Sequence, residues 1–97
     1  MFVIVWEFRI KPERRAEFER HYGPRGTWAE FFRAGDGYLG TELLRAGDAY
    51  LTIDRWESAA AFAAFKTGNA ARYGEIDRMC EALTMRERKI GEYEEVG

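Results

Sequence analysis

Few side chains in this sequence have the chemistry of a catalyst. His21 is the only histidine and Cys80 the only cysteine. An imidazole with an ordinary pKa of about 6.5 is the natural candidate for a general acid or base. The plainer role for His21 is a solvated histidine at a helix C-terminus, favoured there by the helix dipole. Cys80 falls on an apolar helical stripe with no nucleophile motif around it, as a buried, inert thiol does. One His and one Cys far apart in sequence, with no HExxH, CxxC or EF-hand loop, assign no metal. Asp54, Glu57 and Glu42 are carboxylates around a central hairpin, and cross-strand pairing with Arg55, Arg45 or Arg9 accounts for them. Gly23-Pro24-Arg25-Gly26 precedes a helix start, where an anion can bind. It lacks the lysine and serine of a phosphate loop and follows no strand, so it reads as a turn between helices.

Aromatic side chains are the stronger signal. Of 97 residues, 3 are Trp, 5 Tyr and 7 Phe. Each can bury about 150–250 Å², and a small domain has limited interior. Singly, each is expected to be ordinary core. Collectively, Trp6, Phe8, Trp28, Phe31, Phe65 and Tyr73 point to a flat, ring-shaped ligand, because rings stack and apolar walls hold apolar bodies.

Elements that would position these residues can be read from periodicity. Phe2, Ile4, Trp6, Phe8 and Ile10 alternate with Val3, Val5, Glu7 and Arg9, which predicts a strand with a wholly apolar even face. Lys11-Pro12-Glu13 suits a helix start, and Gly23 to Gly26 suits its end. Thr27 and Glu30 have capping-box spacing before a short helix carrying Trp28, Phe31 and Phe32. Tyr38 to Arg45 reads as a strand with Leu39, Thr41 and Leu43 on one side. Ala46-Gly47-Asp48 turns it into a return strand, Tyr50 to Trp56. Ser58 is an N-cap for Ala59 to Lys66, and Asn69 is placed to cap a helix from Ala70 to about Thr84, with stripe Tyr73, Ile76, Cys80 and Leu83. Met85 to Lys89 is too charged to assign, and Ile90 to Val96 reads as a last, edge strand.

This order, β-α-β-β-α-β in one domain over residues 1–97, is the ferredoxin-like α+β arrangement of a four-stranded antiparallel sheet with helices on one face. The other face would carry Val3, Val5 and residues of the hairpin. A bare apolar sheet face suits a homodimer built sheet to sheet. The composition, 33% charged and 46% hydrophobic, is that of a folded soluble chain. A net charge of −2 gives no reason to expect nucleic acid. Tyr50 to Trp56 also lacks the basic, aromatic motif that RNA-binding domains of this topology place there. Phe2 to Trp6 is too short to cross a membrane and has no signal-peptide flanks, so no membrane partner is expected. A single cysteine is compatible with a cytoplasmic location.

Three stretches carry a family likeness. Tyr50-Leu51-Thr52-Ile53-Asp54-Arg55-Trp56-Glu57-Ser58, followed by Phe62 and Phe65, resembles the strand-to-helix junction of the antibiotic biosynthesis monooxygenase-like family. Gly37 to Leu43 resembles the second strand of that family and Phe8 to Pro12 the end of its first. The resemblance implies a dimeric α+β barrel and oxidation of a small planar aromatic, anthrone- or quinol-like, by molecular oxygen without a cofactor. Trp56 matches the family's junction tryptophan. With His21, the only obvious base, it makes the expected catalytic pair. Thr52 stands where an amide side chain suits the oxidising members. The haem-degrading branch needs Asn, Trp and His where this chain has Phe8, Phe65 and Glu75, which disfavours haem degradation. A non-catalytic binding or assembly module of the same fold is the alternative.

Overall fold

The computed structural model describes Met1–Gly97. Strand β1 spans Phe2–Ile10, and Pro12–Arg14 form a 3-10 turn that leads into α1, Arg15–Tyr22. Helix α2 is Thr27–Phe32. Strands β2, Tyr38–Ala46, and β3, Ala49–Trp56, make the hairpin. Helices α3, Ala59–Gly68, and α4, Ala70–Cys80, follow. A 3-10 turn, Glu81–Leu83, then leads to β4, Thr84–Glu94. The sheet order is β2-β3-β1-β4 with antiparallel neighbours throughout. This is the ferredoxin-like α+β fold read from the sequence.

β1 sits in the middle because its even side chains are the most apolar of any strand. Phe2, Ile4, Phe8 and Ile10 are all buried, with Phe18, Tyr22, Ile76, Cys80 and Leu83 of the helical layer. At one end of the hairpin, Arg15 of α1 donates to the Tyr50 hydroxyl (2.8 Å), to the Gly47 carbonyl (3.2 Å) and to Asp48. Tyr50 donates in turn to Glu19. This network fixes the hairpin against α1. The elbow between α1 and α2 is equally tight. A Cβ on Gly26 would lie 2.5 Å from the Arg20 carbonyl oxygen and 2.8 Å from that of His21, so only glycine lets α2 turn back onto the layer.

Four local expectations change. Thr27 does not cap α2. The N-cap is Gly26, without a side-chain cap, and the Thr27 hydroxyl bonds His21 Nδ1 at 2.7 Å instead. Asn69 stands at the N-cap position of α4, but its side chain makes no capping bond there; its Nδ2 donates back to the Phe65 carbonyl at 2.9 Å and closes α3. Ser58 does cap α3, accepting from the Ala61 amide at 3.0 Å. A bulge between Tyr38 and Gly40 shifts β2, so that Leu39 is exposed while Tyr38, Thr41 and Leu43 face the helices. Finally, β4 runs from Thr84 to Glu94 and takes in the charged Met85–Lys89. Pairing with β1, with two bulges, holds it in the sheet. Strand propensity would not have.

The face away from the helices carries Val3, Val5, Leu44, Leu51 and Ile53. At its margins lie two cross-strand ion pairs, Arg55–Glu42 and Arg88–Glu7. No helix is long and apolar enough to cross a membrane.

Candidate active site

The inward positions of β3 are Tyr50, Thr52, Asp54 and Trp56. The ends are bulky and the middle is short and polar. On β1, Trp6 stands opposite Thr52 and Ile4 opposite Asp54. On β2, Thr41 stands opposite Asp54. The sheet is therefore filled by rings at both ends and left hollow over Thr52 and Asp54. A cavity of about 180 Å³ occupies that hollow.

Its apolar walls are Trp6 and Phe8 of β1, Trp28 and Phe32 of α2, Tyr22 and Tyr73. Trp28 and Tyr73 meet edge to face at 5.1 Å between centroids. The polar lining is Thr41, Thr52, Asp54 and Lys66, with Asp77 of α4 and Glu87 of β4 at exposed positions. An engineered cavity of roughly 150 Å³ holds one benzene ring, so this one encloses about a single ring. Any further ring would extend through its open side.

Asp54 is the group best placed for proton transfer. Its Oδ1 accepts from the Thr41 hydroxyl at 2.5 Å. Thr41 has spent its one proton there, so the Tyr38 hydroxyl, 2.6 Å away, donates to Thr41. This Tyr38–Thr41–Asp54 chain fixes the carboxylate and leaves Oδ2 without a protein partner. Burial raises the Asp54 pKa to about 6, against a smaller lowering by the Thr41 hydrogen bond. Tyr73 is pushed up to about 12, by burial first and then by Asp77, Asp54 and Glu87. It keeps its proton at neutral pH. Burial, then the neighbouring Asp77 and Glu81 charges, also raises Glu87.

The residues expected to bind substrate divide into two groups. Trp6, Phe8, Trp28 and Tyr73 line the cavity. Phe31 and Phe65 pack on each other at 4.8 Å behind it, Phe31 also against Trp28 and Tyr73. The two residues expected to be catalytic lie elsewhere. Trp56 is fully buried among Phe32, Tyr38, Phe62 and Phe65, with its indole N–H unpartnered. His21, at the end of α1, is half-buried and bonded to Thr27 outside the cavity. Its pKa is lowered by burial and by Arg20, so it is neutral near pH 7. Cys80 is buried, with its thiol pushed up by burial. Glu42 does pair with Arg55, but Asp54 pairs with no arginine. An acidic residue at an inward position of an alternating strand is the one signal that could have singled out Asp54.

A family model described as antibiotic biosynthesis monooxygenase matches residues 1–73. Similar solved structures have the fold throughout. SnoaB from Streptomyces nogalater, a cofactor-independent oxygenase, superposes with a TM-score of 0.72 at 20% identity, covering 99% of this chain and 93% of that one. PA3566 from Pseudomonas aeruginosa gives 0.72 at 19% identity, covering 99% and 94%. MupZ from Pseudomonas fluorescens gives 0.70 at 14% identity, covering 89% and 67%. No curated protein matches the sequence.

Proposed function

The chain belongs to the antibiotic biosynthesis monooxygenase family, and we propose from that premise that it oxidises a small hydroxylated aromatic with molecular oxygen and no cofactor. The observation that carries this reading is the free Oδ2 of Asp54, a carboxylate with a raised pKa facing an aromatic cavity. Asp54 takes the substrate proton. A carboxylate with a pKa near 6 is a stronger base than an exposed one and is still mostly ionised at pH 7. The electron-rich anion passes an electron to oxygen. The resulting radical pair joins as a peroxide on the ring carbon, and loss of water leaves a carbonyl. One oxygen atom enters the product and the other leaves as water, while the substrate loses two hydrogens. Trp6, Phe8, Trp28 and Tyr73 hold the ring and exclude water. Phe31 and Phe65 support that wall, and Trp56 anchors β3, which carries Asp54.

Oxygen uptake with anthrone and naphthoquinol panels tests the reading. Turnover by the wild type, strongly reduced in Asp54→Asn and less so in His21→Ala, supports it. Loss in His21→Ala with retention in Asp54→Asn would transfer the base to His21. Thr52 in place of the amide implied by the family likeness favours a second reading, a binding module without turnover. It predicts thermal stabilisation by the same compounds with no oxygen consumed.

We further infer that two copies pack through the face carrying Val3, Val5, Leu51 and Ile53. Light scattering should report twice the 11.3 kDa chain mass, and Ile53→Glu should halve it.

A further inference from the structure

The cavity is lined by three carboxylates, Asp54, Asp77 and Glu87, and none of them is in an ion pair. Only one cation, Lys66, shares that lining. Like charges around a small, partly desolvated space are unfavourable unless something neutralises them. These carboxylates are not grouped as metal ligands: no cluster of three or more His, Cys, Asp or Glu in the chain is placed to hold an ion. With three carboxylates against one lysine, the lining carries an excess of negative charge that a cationic ligand would balance.

The walls suit such a charge. Trp6, Trp28 and Tyr73 line the same space, and aromatic rings attract ammonium groups, Trp most strongly. The chain itself supplies an example. Lys66 Nζ lies 4.8 Å from the centre of the Tyr73 ring, with no carboxylate partner. Its side chain is on an exposed helical position, and a ligand ammonium at Tyr73 would have to displace it.

Resting on the cavity reading above, we propose that the ligand is a hydroxylated aromatic carrying an ammonium group. The hydroxyl meets Asp54, and the ammonium lies against Tyr73 between Asp77 and Glu87. Carboxylated or sulfonated aromatics are rejected, because the lining adds like charge to theirs.

Three phenols of nearly equal size test this by calorimetric titration at low salt under argon, so that no turnover intervenes. They are 3-hydroxyphenyltrimethylammonium, its neutral isostere 3-tert-butylphenol, and 3-hydroxybenzenesulfonate. The ammonium compound should bind at least ten-fold more tightly than the neutral one, and the sulfonate more weakly than either. The double variant Asp77→Asn/Glu87→Gln, altered only at exposed positions, should reduce the preference below three-fold. A preference under ten-fold in the wild type, tighter binding of the sulfonate, or an undiminished preference in the variant would overturn the charge proposal. If the neutral phenol binds as well as the cation, the cavity reading survives without it. If none binds, both fall.

Discussion

The sheet–helix layer has two halves made of the same residue types with opposite outcomes. Around Trp56 the rings of Phe32, Tyr38, Phe62 and Phe65 approach to between 5.3 and 5.6 Å and leave no space. Two residues along the same strand face, Asp54 and Thr52 replace rings with short polar groups, and the layer opens into a cavity. Each half contains a tryptophan with an unpartnered indole N–H, Trp56 and Trp28. Aromatic content therefore does not distinguish core from pocket. The inward residues of β3 do.

Substitutions at the closed half should cost the most stability. Trp56→Ala is expected to lose ~3–5 kcal/mol in denaturant unfolding, whereas Trp6→Ala, half-exposed at the cavity, should lose under ~2 kcal/mol. Equal losses would erase the distinction. Gly35→Ala comes next. Its added Cβ would sit 2.6 Å from Phe65 Cδ1 and 3.0 Å from the Trp56 ring, and overpacking of this kind costs ~1–3 kcal/mol.

Asp54→Asn should act in the opposite sense. The folded carboxyl holds its proton up to about pH 6, while the unfolded one releases it near the ordinary value of 3.8. Between these limits the folded state binds more protons, so wild-type stability falls as pH rises from about 4 to about 6. Removing the charge should therefore stabilise the fold by ~1–2 kcal/mol at pH 7, and the gain should vanish by pH 4. The same variant should lose ~10²–10⁴-fold in oxygen uptake, a gain in stability at the expense of function. The smallest effect is expected on the outer face. Breaking the Glu42–Arg55 pair with Glu42→Gln should change monomer stability by under ~1 kcal/mol, since the pair is largely exposed.

The architecture was legible because β1 and β3 alternate cleanly and Ser58, the hairpin and the α4 stripe are local signals. What local reading missed depends on partners distant in sequence. Met85 to Lys89 becomes strand only because β1 offers a ladder. Thr27 gives up its capping role because Gly26 brings it under His21. Within the site, four ring positions were readable as inward-facing: Trp6, Phe8, Trp28 and Tyr73. Asp54 was read as a cross-strand ion-pair partner because its actual partners, Thr41 and Tyr38, are brought to it by a bulge at Leu39–Gly40, whose only sequence mark is a glycine inside the strand. His21 drew notice as the lone imidazole, a property of residue type that says nothing of where the helix points it.

The pH dependence of kcat/KM for oxygen uptake, with a substrate drawn from the phenol or quinol panel, tests the central role of Asp54 most directly. An inflection near pH 6, with activity lost below it and the inflection absent from the residual activity of Asp54→Asn, is the predicted result. A rate flat between pH 5 and 8, or the same inflection retained in Asp54→Asn, would contradict it.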